Sequence, residues 1–145
     1  MTPYSKVYDT FLAKILEDEW ENWSQEETEA DLREILEGAL PYFKFPRKSL
    51  NRTDEGFDDD LSSEEIQIIA TYMKCEWLNR SIMTWENVKP MYVERDFSQA
   101  NLLDKLIKAL AQEKNNALWL ESMYYRSRNG KPFKYSNLAG SSNEV

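Results

Sequence analysis

Apolar side chains recur along this sequence at three- and four-residue steps, in runs that capping serines open and prolines close. That pattern leaves room for little besides helix. In the first run Tyr4, Val7, Tyr8, Phe11, Leu12, Ile15, Leu16, Trp20 and Trp23 form one stripe, with Pro3 near its start where a missing amide hydrogen costs little. Ser24 and Glu27 read as a capping box opening a second helix, whose stripe is Leu32, Ile35, Leu36 and Ala39 and which Pro41 stops. A second box, Ser62 with Glu65, opens a third helix with Ile66, Ile69, Ala70, Met73 and Trp77 on its apolar face, reaching about Ile82. A short element from Thr84 to Val88 precedes Pro90. Asp96 or Ser98 then caps a long fourth helix with the stripe Leu103, Leu106, Ile107, Leu110, Ala117, Leu118 and Tyr124. Asn129-Gly130 ends it and Pro132 prevents its resumption.

The expected architecture is all-α: a four-helix bundle-like domain with a long interhelical loop, a long C-terminal helix and an extended C-terminal tail. Residues 1–128 form one helical domain and 129–145 a basic, aromatic tail. Only 4 glycines in 145 residues disfavour a turn-rich β design. Trp20, Trp77 and Trp119 follow helical spacing and belong in the core; Trp23 and Trp85 fall at element ends and suit an interface.

Composition removes several chemistries. There is no histidine, so neither a Ser-His-Asp or Cys-His arrangement nor a typical zinc site can be built. The single cysteine, Cys75, cannot form an internal disulfide. No glycine-rich phosphate loop is present. No apolar run approaches membrane-spanning length and no signal-like segment opens the chain, so a soluble protein made in a cytoplasm is expected. The net charge of −8 is uneven, at −11 through Glu65 and +3 from Ile66 onward. An acidic body argues against general nucleic-acid binding, because phosphate repels most of the surface. It suits head-to-tail contacts between copies, although a solvated acidic face serves solubility equally.

The stretch from Pro41 to Leu61 lacks helical periodicity, and a loop of about 20 residues in a compact domain is often functional. Its glycine, Gly56, would place a calcium loop over Asn51–Ser62, but that register lacks the closing glutamate, so an EF-hand is excluded. Asp58, Asp59 and Asp60 read more simply as a solvated lead-in favoured by the next helix dipole than as a looser cation site. In Tyr42–Lys48, Phe43 and Phe45 are candidate contact anchors, with Arg47 and Lys48 as polar partners; alternatively Tyr42, Phe43 and Phe45 fold back over the bundle end as core. The glutamates fall opposite the apolar stripes and suggest no acid–base pair. In the tail, Arg126, Arg128, Lys131 and Lys134 accompany Phe133, Tyr135 and Leu138, with no acidic residue between Arg126 and Asn143. Those apolar residues have no helical partners, which favours insertion into another protein.

A helix carrying Tyr72-Met73-Lys74-Cys75-Glu76-Trp77-Leu78, followed by Asp96-Phe97-Ser98-Gln99-Ala100-Asn101 opening a long last helix, resembles the head–tail connector, or adaptor, proteins of tailed bacteriophages. The likeness is one of size, helix order and flavour over most of the chain. It implies a structural virion protein of the phage neck, made in the bacterial host cytoplasm and neither enzyme nor cofactor carrier. The implied partners are the portal protein, neighbouring copies in a ring of about twelve, and the next neck or tail protein. DNA would slide through the lengthened channel without specific binding, and no membrane is involved. The tail residues Arg126 to Leu138 would reach the portal, and the loop Tyr42–Asp60 would face a neighbour or the tail side. The rival reading is a small acidic helical regulator of one host or viral protein.

Overall fold

A computed structural model describes residues 1–15, 20–88 and 97–127. Within them the chain runs β1 (Thr2–Pro3), α1 (Tyr4–Lys14), α2 (Gln25–Ala39), a 3-10 turn (Leu40–Tyr42), β2 (Gly56–Phe57), α3 (Ser63–Val88) and α4 (Phe97–Arg126). Among the described residues the fold is all-α apart from one minimal antiparallel pair, in which Thr2 faces Phe57 and Pro3 faces Gly56.

Helix α3 is the hub, with α1, α2 and α4 all packed on it. Its expected stripe is only part of what it buries. Ile68, Tyr72, Cys75, Leu78 and Ile82 are buried alongside Ile69, Ala70, Met73 and Trp77. A helix enclosed by three others is apolar nearly all round, so a single-face reading understates it. The segment Thr84–Val88 is not a separate element but the end of α3. Ser98 lies inside α4, which begins at Phe97, so it does not cap that helix, and the other cap candidate, Asp96, lies outside the described residues.

Both capping serines act as expected. The Glu27 amide donates to Ser24 Oγ at 3.1 Å. At α3 the box closes both ways, with Glu65 N–H on Ser62 Oγ at 3.2 Å and Ser62 N–H on Glu65 Oε1 at 2.8 Å.

The first helix is shorter than its stripe suggests. It ends at Lys14, and Ile15 is extended at φ −117°, ψ 142° while remaining buried. Beyond Leu16 the sequence reads Glu17-Asp18-Glu19, which would place three negative charges at the negative end of a longer helix. Trp20 still reaches the core, edge-on to Phe11 at 6.2 Å between ring centres. Its indole N–H donates to Asp31 Oδ2 at 2.7 Å, and Arg80 forks onto the same carboxylate at 2.7 and 3.0 Å. Burial alone would raise the Asp31 pKa; the Arg80 and Trp20 hydrogen bonds overcome it and hold the carboxyl below its usual value.

The Pro41–Leu61 stretch is a strap tied down along its length. Thr2 Oγ1 donates to the Asp59 carbonyl and accepts from the Leu61 amide, both at 2.8 Å. The Tyr4 hydroxyl donates to the Thr53 carbonyl, and Arg52 pairs with Glu37 on α2. Gly56 permits the β1–β2 approach, since a Cβ built there would stand 2.3 Å from the Thr2 carbonyl oxygen. Gly56→Ala is therefore expected to cost roughly 1–3 kcal/mol, read as a lowered midpoint in chemical denaturation with little change in helicity.

Glu37 accepts from both Arg52 Nε and Arg33 Nε at 2.8 Å. The Arg52 hydrogen bond, aided by Arg33 against desolvation, lowers its pKa from 4.5 to about 2. A depressed carboxyl contributes stability fully above its unfolded value and loses it as pH falls through the folded one. The Glu37 contribution should thus fade as pH drops from 4.5 towards 2. The melting temperature of Glu37→Gln is expected to change less over that window than that of the parent, and an identical acid limb in both proteins would refute this.

Candidate functional site

The chemistry concentrates where the C-terminal end of α4 meets the strap and the first half of α3. Tyr124 organises it. Its ring is 1% exposed, and its hydroxyl donates to Glu65 Oε2 at 2.9 Å while accepting from the Arg47 amide at 2.6 Å. Burial, then the hydrogen bond to Glu65, pushes the Tyr124 pKa up. The Arg47 guanidinium lies over the same ring at 4.1 Å from its centre and donates to the Tyr124 and Ser127 carbonyls. In this way Arg47 closes the C-terminal end of α4, where carbonyls lack helical partners.

Beside this lies a cleft of about 520 Å³ between the strap and the α3–α4 seam. Tyr42 and Tyr72 form one wall, stacked at 5.6 Å with 20° between their planes. Leu118 and Lys114 line it from α4, and Glu121 from deeper in the same helix. Glu121 is only 7% exposed; Tyr125 donates to its Oε2 at 2.8 Å, while Oε1 is buried with no hydrogen-bond partner. Burial first, and then the Glu121 carboxylate, raises the pKa of Tyr72, and in the same order pushes Tyr125 up to about 12. Cys75 also lines the cleft, but burial pushes its thiol up to about 11, which leaves it a poor nucleophile.

A shallower groove of about 360 Å³ on another side of α4 is walled by Ile68, Leu120 and Met123. Several large apolar side chains near these two hollows face solvent. Phe45 is 74% exposed, Trp119 63% and Leu118 61%, with Met123, Tyr42 and Tyr125 also exposed.

The strap candidates separate sharply. Phe43 is core, 4% exposed and edge-on to Tyr124 at 5.4 Å, as the fold-back alternative expects, and offers no exposed contact surface. Phe45 points outward against the edge of Tyr125. Arg47 is committed to α4, and Lys48 donates to the Asp60 carbonyl. Asp58 is exposed, Asp59 accepts from the Ser49 amide at 2.9 Å, and Asp60 pairs with the terminal amine of Met1. That amine lowers the Asp60 pKa. Among the described residues no group of three acidic or cysteine side chains is placed to hold a metal ion. Of the tail candidates Arg126 ends α4; Arg128, Lys131, Phe133, Lys134, Tyr135 and Leu138 lie outside the described residues.

Two features run against the sequence pattern. Trp119 is solvent-facing rather than core, and so are Leu118 and Ile107, because the buried face of α4 centres on Ala117 and Tyr124. Glu65 and Glu121 are buried, whereas the spacing placed every glutamate outside. For Glu65 the signal was available, since a capping-box glutamate turns back onto its helix start. Nothing in the sequence around Glu121 announces it.

Among the described residues no helix is long and apolar enough to cross a membrane. The chain matches no protein-family model, no curated protein and no solved structure.

Removing the Tyr124 hydroxyl leaves a buried carboxylate oxygen and a backbone amide without their partner. Tyr124→Phe is expected to destabilise by roughly 1–3 kcal/mol while the ring packing survives. Trp119→Ala should stay within about 0.5 kcal/mol of the parent, as for other exposed positions. Urea titrations of the two variants provide the comparison.

Proposed function

We propose that this chain is a structural protein of the tailed-phage neck, an adaptor that forms a ring between the portal and the next neck or tail component and extends the DNA channel. What supports this reading most is the exposed apolar surface at the end of α4, with Leu118, Trp119, Met123 and Tyr125 beside Phe45. It adjoins the point from which the basic, aromatic segment departs. Solvent-facing aromatics gathered beside a groove and a cleft suit contact with other proteins better than turnover of a small substrate.

The division of charge suits the same role. An acidic N-terminal portion repels passing DNA, and the basic end offers complementary charge to a neighbouring copy or the portal. Each contact can be modest, because a closed ring repeats it and the avidity multiplies. In this reading the segment Arg126–Leu138 contributes Phe133, Tyr135 and Leu138 as apolar anchors, and the protein resides in the virion after synthesis in the host cytoplasm.

The test is capture from a phage-producing lysate by the tagged full-length chain and by a Phe133→Ala/Tyr135→Ala/Leu138→Ala variant. Recovered partners are identified and copies per complex counted by native mass spectrometry. The adaptor reading expects portal in a ring of about twelve chains, with recovery reduced at least about tenfold by the triple substitution. Equal recovery of a single cellular protein at one-to-one stoichiometry by both versions would overturn it in favour of the acidic regulator.

A further inference from the structure

The cleft between the strap and the α3–α4 seam holds a buried carboxylate whose hydrogen bonding is incomplete. That group is Glu121, whose Oε2 accepts from Tyr125 while Oε1 is buried without a hydrogen-bond partner; the Tyr72 hydroxyl stands close enough for the carboxylate to raise its pKa. A buried acceptor left unpaired is costly, and a donor arriving from outside would remove that cost. Glu76 adds a second carboxylate, half-buried in the lining. One wall is the stacked pair Tyr42–Tyr72, an aromatic surface suited to a guanidinium or the methylene stem of a lysine. Lys44 and Lys114 also line the mouth, but both are exposed, so solvent screens them more than the acids beneath. Leu118 sits one turn before Glu121 and is 61% exposed, free to turn aside and open the way to the carboxylate.

We propose that this cleft is a docking site for a basic peptide side chain, and that its occupant is the chain's own segment Arg128–Lys134. The sequence there offers Arg128, Lys131 and Lys134, interleaved and followed by Phe133 and Tyr135. The cations match the acidic floor, and the aromatics match a rim that already carries Phe45 and Tyr125. Reach is sufficient. Ser127 follows Glu121 by six residues, a rise of about 9 Å along a helix. The four to seven residues from Arg128 to Lys131 or Lys134 span up to roughly 13–23 Å when extended. Docked there, the segment is shielded until a partner with a better site withdraws it. The inference concerns the segment that the neck reading sends to the portal, yet it stands or falls without a portal.

The test uses the full-length chain carrying Arg128→Ala, Lys131→Ala and Lys134→Ala, which vacates the site, and a fluorescein-labelled peptide of residues 128–138 followed by anisotropy. Saturable binding is expected, weakened about tenfold by Leu118→Arg and by Glu121→Gln, each a loss of one close interaction. The unsubstituted chain should bind the peptide at least about tenfold more weakly, because its own segment competes. Leu118 is exposed, so Leu118→Arg keeps the fold, which circular dichroism verifies, even if Glu121→Gln disturbs it. No saturable binding, binding indifferent to Leu118→Arg in a folded protein, or equal binding to the vacated and unsubstituted chains would each overturn the proposal.

Discussion

One hydroxyl group joins three parts of this molecule. Tyr124 brings the end of α4 onto the start of α3 by donating to Glu65, and brings the strap onto both by accepting from the Arg47 amide. Glu65 is held in turn by the capping box that begins α3. The buried end of α4 is therefore positioned by a polar chain with defined geometry as well as by apolar contact. Such a network is favourable only when every member is satisfied, and here each donor and acceptor along it has its partner. Where α4 passes Glu121, a few residues earlier, the same helix buries a carboxylate oxygen with none. The contrast between a completed network and an open one separates the structural end of this region from the part with capacity for a ligand.

The strap shows how a segment without periodicity becomes ordered. It has almost no regular hydrogen bonding of its own, a two-residue pair with β1 and one bridge between Arg52 and Phe57. Its order comes from side chains placed along it: Phe43 and Phe57 in the core, Arg47 on α4, Arg52 on α2, and Thr2 of β1 bonded to it twice. Thr2 and Gly56 matter through where they bring backbone together, which is why the N-terminal residues belong to the fold.

Helix number, helix order and both capping serines were legible in the sequence because those signals are local. Periodicity and a Ser-x-x-Glu motif act within one or two turns. The errors arose where tertiary context decides. Extending α1 through Trp23 followed the stripe, but Trp20 satisfies its apolar demand by returning to Phe11 and its indole by bonding Asp31. The spacing around Trp119 matches a core position, yet a wide apolar band cannot reveal which edge another helix covers. The strap aromatics were ambiguous for the same reason, and they divide, with Phe43 inward and Phe45 outward. The site was less legible than the fold. The cleft joins Tyr42, Tyr72 and Glu121 from three elements, and no pairwise spacing encodes that meeting.

The apolar residues that α4 leaves uncovered carry the remaining weight. Burying Leu118 or Trp119 against another protein is worth on the order of 1.5–3 kcal/mol per side chain, comparable with a core position. A monomer gains nothing from presenting them to water, and the completed Tyr124 network beneath keeps the helix fixed without their help. A rigid helix end with apolar side chains to spare loses little conformational freedom on binding, so most of that burial is retained as affinity. Leu118 belongs to both the exposed band and the wall of the cleft. A partner covering the band would therefore compete directly with a basic side chain entering beside Glu121. Competition at one leucine is enough to couple the release of a docked segment to the arrival of a partner.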